Sequence, residues 1–200
     1  KAIRENPEGI VVAAGCYAQA FPDELSKIDG LSLIAGNTEK GKLPELLLNT
    51  KGSSQLKIAC KAFEPETPFG FLPIRRFSDR ARAFLKIQDG CESFCSYCIV
   101  PFARGPLRCL PLTQVLTTVK TLAEQGYKEI VLTGIHLGKY GAGLEKGMDL
   151  NHLLEAIGKE GLSIRIRMSS LEINEIDSEL IEMTASENWL CRHFHIPLQS

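Results

Sequence analysis

Three cysteines crowd one short stretch, Gly90-Cys91-Glu92-Ser93-Phe94-Cys95-Ser96-Tyr97-Cys98, with the spacing C-x3-C-x2-C. Thiolates at that spacing on a single loop can grip three corners of a cubane 4Fe–4S cluster. No further protein ligand is evident nearby, so one iron would stay open to a small molecule. The competing chemistry is a structural zinc site with Cys109 as a distant fourth ligand. Zinc normally takes paired knuckles and four protein ligands, whereas this triplet stands alone and Cys109 lies beyond Pro101 and Pro106. The remaining Cys16, Cys60 and Cys191 are scattered, and seven cysteines with one tight triplet do not form a disulfide framework. Cys109 and Cys191 are otherwise expected to be packing residues.

The elements that must carry this loop alternate between strand and helix. Gly9 to Ala14 is a short apolar run that suits a buried parallel strand. Pro22 to Ile28 suits a short helix with proline in its first turn, Leu31 to Ala35 a strand, and Lys40 to Leu48 a helix. Residues 53–79, with Pro65, Pro68, Gly70 and Pro73, form an irregular linker. A new strand opens at Ala81 to Gln88. It is followed by an amphipathic helix from Pro111 to Gln125, with Leu112, Val115, Leu116, Val119 and Leu122 on one face. Then come a strand at Glu129–Thr133, a helix at Leu150–Ile157, a strand at Ile164–Met168, a helix at Ser178–Thr184 and a strand at Phe194–Ile196. This is the rhythm of parallel βα units. The fold class is α/β: the end of a doubly wound domain over 1–52, then a partial βα barrel over 80–200. A closed barrel takes about 250 residues. In such a barrel the loop after a strand lies at the catalytic face, which is where the cysteine triplet falls.

The composition is that of a globular chain: 200 residues, 44% hydrophobic, 24% charged, with 17 Gly and 10 Pro. Disorder and collagen are excluded. No apolar run reaches the roughly 18 residues of a membrane-spanning helix, and the start from Lys1 has no signal-like apolar core. A cytoplasmic protein is expected, with no membrane partner. The missing initiator Met and the strand-like ending at Ser200 suggest a piece of a longer protein. The net charge of −1 argues against a free-standing nucleic-acid-binding domain. Local clusters can override that balance: Arg75, Arg76, Arg80 and Arg82 fall together, and Arg104 and Arg108 follow the cysteines.

The thiol loop runs on into Ile99-Val100-Pro101-Phe102-Ala103-Arg104-Gly105-Pro106, a Pro-aromatic-x-Arg-Gly segment. In this the chain resembles the radical S-adenosylmethionine (SAM) enzymes, and among them the methylthiotransferase family. Gly15-Cys16-Tyr17-Ala18-Gln19 is similar to the last cysteine motif of that family's amino-terminal domain. Leu132 to Gly141, Met168-Ser169-Ser170-Leu171-Glu172 and His193 to Ser200 are similar to the branch acting on N6-threonylcarbamoyladenosine in tRNA.

The resemblance implies a radical-SAM barrel in which a 4Fe–4S cluster on Cys91, Cys95 and Cys98 passes an electron to SAM. Methionine and a 5′-deoxyadenosyl radical result, and the radical takes hydrogen from C2 of the modified adenine beside the anticodon. It further implies a second 4Fe–4S cluster with Cys16 as the last of three ligands, the other two lying upstream of Lys1. A second SAM, an electron donor, a sulfur source and tRNA complete the partners. Cys60 matches no family ligand and is expected to be an ordinary buried cysteine. Two alternatives stay open: the same chemistry on isopentenyl-adenosine tRNA or on a ribosomal-protein aspartate, and a non-catalytic zinc-stabilised RNA-binding module.

By the same resemblance, Tyr97 faces the SAM adenine, Thr133 and Gly134 the SAM amino group, and Ser169, Ser170 and Glu172 the ribose or substrate. Each has a plain structural alternative: loop packing for Tyr97, a strand-end turn for Gly134, and helix capping for the serines. His193 and His195 would alternate along a strand and so point to opposite faces. Arg75, Arg76 and Arg104 are expected to meet tRNA phosphate, for which the planar guanidinium is suited. Gln199 is expected to contact substrate.

Overall fold

The computed structural model describes residues 1–53, 55–70 and 81–198. Two compact units divide the chain, Lys1–Leu72 with Cys91–Pro106, and Pro73–Gly90 with Leu107–Ser200. Residues 91–106, which carry the thiol loop, fall in the first of these units.

In the first unit, α1 (Ala2–Glu5) precedes β1 (Val12–Ala14), α2 (Cys16–Ala20), α3 (Pro22–Leu25), β2 (Leu33–Ala35), α4 (Leu43–Leu48) and β3 (Lys57–Ala59). The strands pair in parallel in the order β1-β2-β3, with Val12 opposite Leu33 and Leu33 opposite Lys57. Central β2 is wholly buried, as a strand with partners on both edges requires. The expected helix from Lys40 divides into a 3-10 turn over Asn37–Lys42 and α4, which starts with Pro44 in its first turn. β3 lies inside the stretch expected to be a linker. Three residues show no alternation of their own, and pairing with β2 makes them a strand. The last helix of this unit, α5 (Val100–Arg104), follows the cysteines with Pro101 in its first turn.

In the second unit, β4 (Arg82–Lys86), β7 (Glu129–Thr133) and β8 (Arg165–Met168) form a parallel sheet in the order β4-β7-β8. Arg82, Glu129 and Arg165 are opposite one another at its amino edge, and Lys86 faces Thr133 at the other. The crossovers run through α6 (Leu112–Glu124) and α7 (Leu150–Lys159); α8 (Ser178–Ser186) follows β8. Val115, Val119 and Leu122 of α6 and Leu150, Leu153, Leu154 and Ile157 of α7 are buried, as are Ile130, Leu132, Ile166 and Met168 of the sheet. Full burial of such a side chain contributes about 1.5–3 kcal/mol.

The expected strand over 81–88 breaks at Ile87 into β4 and a two-residue β5 (Gln88–Asp89), antiparallel to β6 (Arg108–Cys109). This ribbon closes the stem of the thiol-loop excursion. The expected strand at 194–196 does not form. That region contributes single parallel bridges, Ile166 with Leu190 and Ser170 with His195.

Candidate cluster and cofactor site

The thiol loop leaves its stem at Gly90 and returns at Gly105, where the Cys91 amide donates to the Gly105 carbonyl at 3.1 Å. A turn joins Cys95 and Cys98 through the Cys98 amide and Cys95 carbonyl at 2.9 Å. Phe94 adopts φ 47 and sets its ring edge-on to Phe102 at 6.0 Å between centroids. None of the three is in a disulfide; Cys95 is exposed, and Cys91 and Cys98 are half-buried. In kind and number this donor set fits a 4Fe–4S cluster with one open iron. Among the described residues no three His, Cys, Asp or Glu side chains are already gathered to hold a metal ion. Tyr97 is 70% exposed.

Cys16 opens α2 in the same unit. The Arg104 guanidinium donates through Nε to Cys16 Sγ at 3.1 Å, and the Asn37 amide lies 3.5 Å from the same sulfur. Asn37 also donates to the Ala103 carbonyl at 2.6 Å, tying Cys16 and α5 together twice. Burial pushes the Cys16 thiol up, but Asn37 and the Arg104 charge outweigh it and hold it below the ordinary cysteine value. Sequence reasoning sent Arg104 to phosphate; here its Nε faces a sulfur. Gln19 of the same motif braces α2, donating to the Lys61 carbonyl at 2.8 Å. Cys60 is half-buried, with its thiol donating to the Ala18 carbonyl at 3.3 Å, and burial raises it.

In the second unit the remaining expected residues follow the carboxyl ends of the parallel strands, where ligands bind in α/β sheets. Thr133 ends β7 and its carbonyl accepts from the Ile87 amide at 2.9 Å. Ser169 follows β8, with its Oγ buried and without a hydrogen-bond partner among the described residues. Ser170 Oγ lies 2.7 Å from His195 Nδ1, and both residues are exposed. His195 thus joins a backbone bridge, not a strand, and the alternation expected for His193 and His195 does not apply. Glu172 caps a 3-10 turn at Ile173–Glu175, accepting the Glu175 amide while Glu175 returns a carboxylate to the Glu172 amide.

Sequence reasoning missed Gln88, His136 and Glu175, which link these strand ends. Gln88 is fully buried, and a buried amide at a strand end before a cysteine loop is the signal that could have found it. Cys109 and Cys191 are buried, and burial raises both thiols. Cys109 Sγ faces the Lys139 carbonyl at 3.7 Å. Arg82 pairs with Glu129 at 2.7 Å. Arg75, Arg76, Arg80 and Gln199 lie outside the described residues.

Residues 85–200, which hold the C-x3-C-x2-C loop and the strands of the second sheet from Leu85 on, match the Radical SAM superfamily. The chain belongs to that superfamily. Along its whole length it is 41% identical to the threonylcarbamoyladenosine tRNA methylthiotransferase MtaB of Aquifex aeolicus, covering 48% of that protein. The protein of the same name from Bacillus subtilis is 38% identical over all of this chain and 44% of its own length. A tRNA-2-methylthio-N(6)-dimethylallyladenosine synthase of Clostridium novyi is 37% identical over 98% of this chain and 44% of its own length. The chain spans about half the length of the curated relatives it matches.

Proposed function

We propose that this chain is part of a cytoplasmic tRNA methylthiotransferase that modifies C2 of N6-threonylcarbamoyladenosine next to the anticodon. The observation that carries the reading is the joining of Cys16 to the segment after the thiol loop, through Arg104 and Asn37, within one compact unit. A reaction that abstracts hydrogen and then delivers sulfur needs both sulfur-bearing loops in one construction. The similarity to methylthiotransferases over the full chain supports the same assignment.

In this reading Cys91, Cys95 and Cys98 hold a 4Fe–4S cluster, and Cys16 contributes to a second. A cluster held there by Cys91, Cys95 and Cys98 would supply the electron for reductive cleavage of SAM. The chain's own residues bind and orient. Thr133 and Gly134 present the end of β7 to the SAM amino group, Ser169, Ser170 and Glu172 present the end of β8 to the ribose or substrate, and exposed Tyr97 stacks on the adenine. Arg75, Arg76 and Arg104 serve tRNA phosphate and Gln199 serves substrate, with Arg104 also donating to Cys16. The target adenine must be flipped out to be reached. Residues 1–52 end the amino-terminal domain, 53–79 link and 80–200 form the radical-SAM core. tRNA, an electron donor and a sulfur source are its partners. The Clostridium novyi relative favours dimethylallyl-adenosine tRNA as the second reading.

The test uses the full-length parent protein, reconstituted anaerobically with iron and sulfide and given SAM, reductant and each tRNA. Mass spectrometry of digested tRNA is expected to show the 2-methylthio derivative of threonylcarbamoyladenosine. Product only on dimethylallyladenosine moves the substrate to the second reading. Stoichiometric zinc with no iron colour and no SAM cleavage overturns the enzyme.

A further inference from the structure

Gln88 is 0% exposed, yet every polar atom of its side chain is used. Its Nε2 donates to the Asp89 carbonyl at 3.0 Å and the Gly90 carbonyl at 2.9 Å, while its Oε1 accepts the His136 amide at 2.7 Å. Gly90 is the residue from which the thiol loop departs, and its amide is held by Asp89 Oδ1 at 3.0 Å. His136 carries the connection onward, because its Nε2 lies 2.6 Å from Glu175 Oε1 with side chains only 12% and 5% exposed. Glu175 Oε2 then accepts the Glu172 amide at 3.1 Å. A Cβ on Gly138 would collide with the Glu175 carboxylate, so the carboxylate reaches His136 through space that only glycine leaves. The run Gly90–Gln88–His136–Glu175–Glu172 thus crosses the loops that follow the carboxyl ends of β4, β7 and β8.

A buried amide with three satisfied bonds and a buried His–Glu contact are poor devices for stability alone. Polar groups buried in contact often gain little over apolar residues of the same shape, although removing one partner is costly. Their value lies in fixing one arrangement, since a half-satisfied buried network is strongly disfavoured. We infer that Gln88, His136 and Glu175 are positioning residues for SAM, a strut that presets the root of the thiol loop against the strand ends bearing Thr133, Gly134 and Glu172. The inference rests on the radical-SAM reading of this site and adds to it residues that touch neither cluster nor cofactor.

The test uses the full-length parent protein reconstituted with iron and sulfide. Gln88→Leu removes all three amide bonds, and Glu175→Gln removes the charge His136 meets while keeping the buried shape. The Glu175 variant decides the matter should the Gln88 variant not fold. Each is expected to raise the SAM Kd about tenfold, in the range seen when supporting partners of a site are lost. Iron content and the electron paramagnetic resonance (EPR) spectrum of the reduced cluster without SAM stay as in wild type, whereas the SAM-induced change in that spectrum weakens. The double variant is expected to lose less than the product of the two single losses, because both act through one connection. A SAM Kd within about twofold of wild type in both single variants overturns the strut, as does a double loss equal to the product. A wild-type protein that takes up iron but binds no SAM overturns the functional reading, and the strut with it.

Discussion

At the scale of single residues, side chains of like type separate by what surrounds them. Cys91, Cys95 and Cys98 sit half-buried or exposed on one loop, outside any disulfide, whereas Cys109 and Cys191 are buried in the second unit with their thiols pushed up. Anaerobic reconstitution of the full-length protein should therefore discriminate. Cys95→Ala is expected to remove the radical-SAM share of bound iron, and Cys60→Ala to leave iron per chain unchanged, by metal analysis. The spacing of the triplet was legible because all its ligands lie within one turn-rich stretch. The partner of Arg104 was not, since Cys16 is 88 positions away. Gly105 shows the same limit: it takes φ 71, ψ −161, and a Cβ there would strike the Phe63 ring. That backbone region is essentially restricted to glycine and costs other residues about 1–3 kcal/mol. Gly105→Ala should lose at least that much stability in urea denaturation, with the Cys16 contact loosened.

Among elements, length and periodicity decided what could be read. α6 and α7 are long enough to show an apolar face, and β7 is a strand of five residues with a terminating glycine beyond it. They form where expected. α2 and α5 have five residues each and complete no repeat that periodicity could reveal; tertiary contact makes them helical. β3 is a strand through its pairing, and the expected strand at His195 fails because that segment meets β8's continuation at a single bridge. The start of α7 is local chemistry: Asp149 accepts the His152 amide at 2.9 Å. Asp149→Ala should cost about 0.5–2 kcal/mol, and Leu153→Ala on the buried face about 2–5 kcal/mol, both measured by chemical denaturation. Equal effects of the two would mean that α7 is not held by its buried face.

For the molecule as a whole, one buried carboxylate on β7 gathers three arginines from the two strands beside it. Glu129 is 3% exposed and meets Arg82 at 2.7 Å, Arg167 at 2.8 Å and Arg165 at 3.3 Å. The Arg167 hydrogen bond, against the opposing effect of burial and with help from Arg82, holds the carboxyl below the ordinary glutamate value. A carboxyl lowered on folding stabilises the folded state above its unfolded value, about 4.3. That contribution fades as pH falls through the lowered folded value. Glu129→Gln is thus expected to be less stable than wild type at pH 7, with the difference shrinking below about pH 4. A difference that persists undiminished in acid denaturation would contradict this.

Sequence alone determined the thiol triplet, the α/β rhythm and the family, because each is written in neighbouring residues whose spacing carries its meaning. Tertiary structure decided that Arg104 turns its Nε to Cys16, that the thiol loop groups with the amino-terminal unit, and that Gln88, His136 and Glu175 span the strand ends. The reason is physical: hydrogen bonds and ion pairs between residues 39 to 88 positions apart exist only once the sheets bring distant segments together.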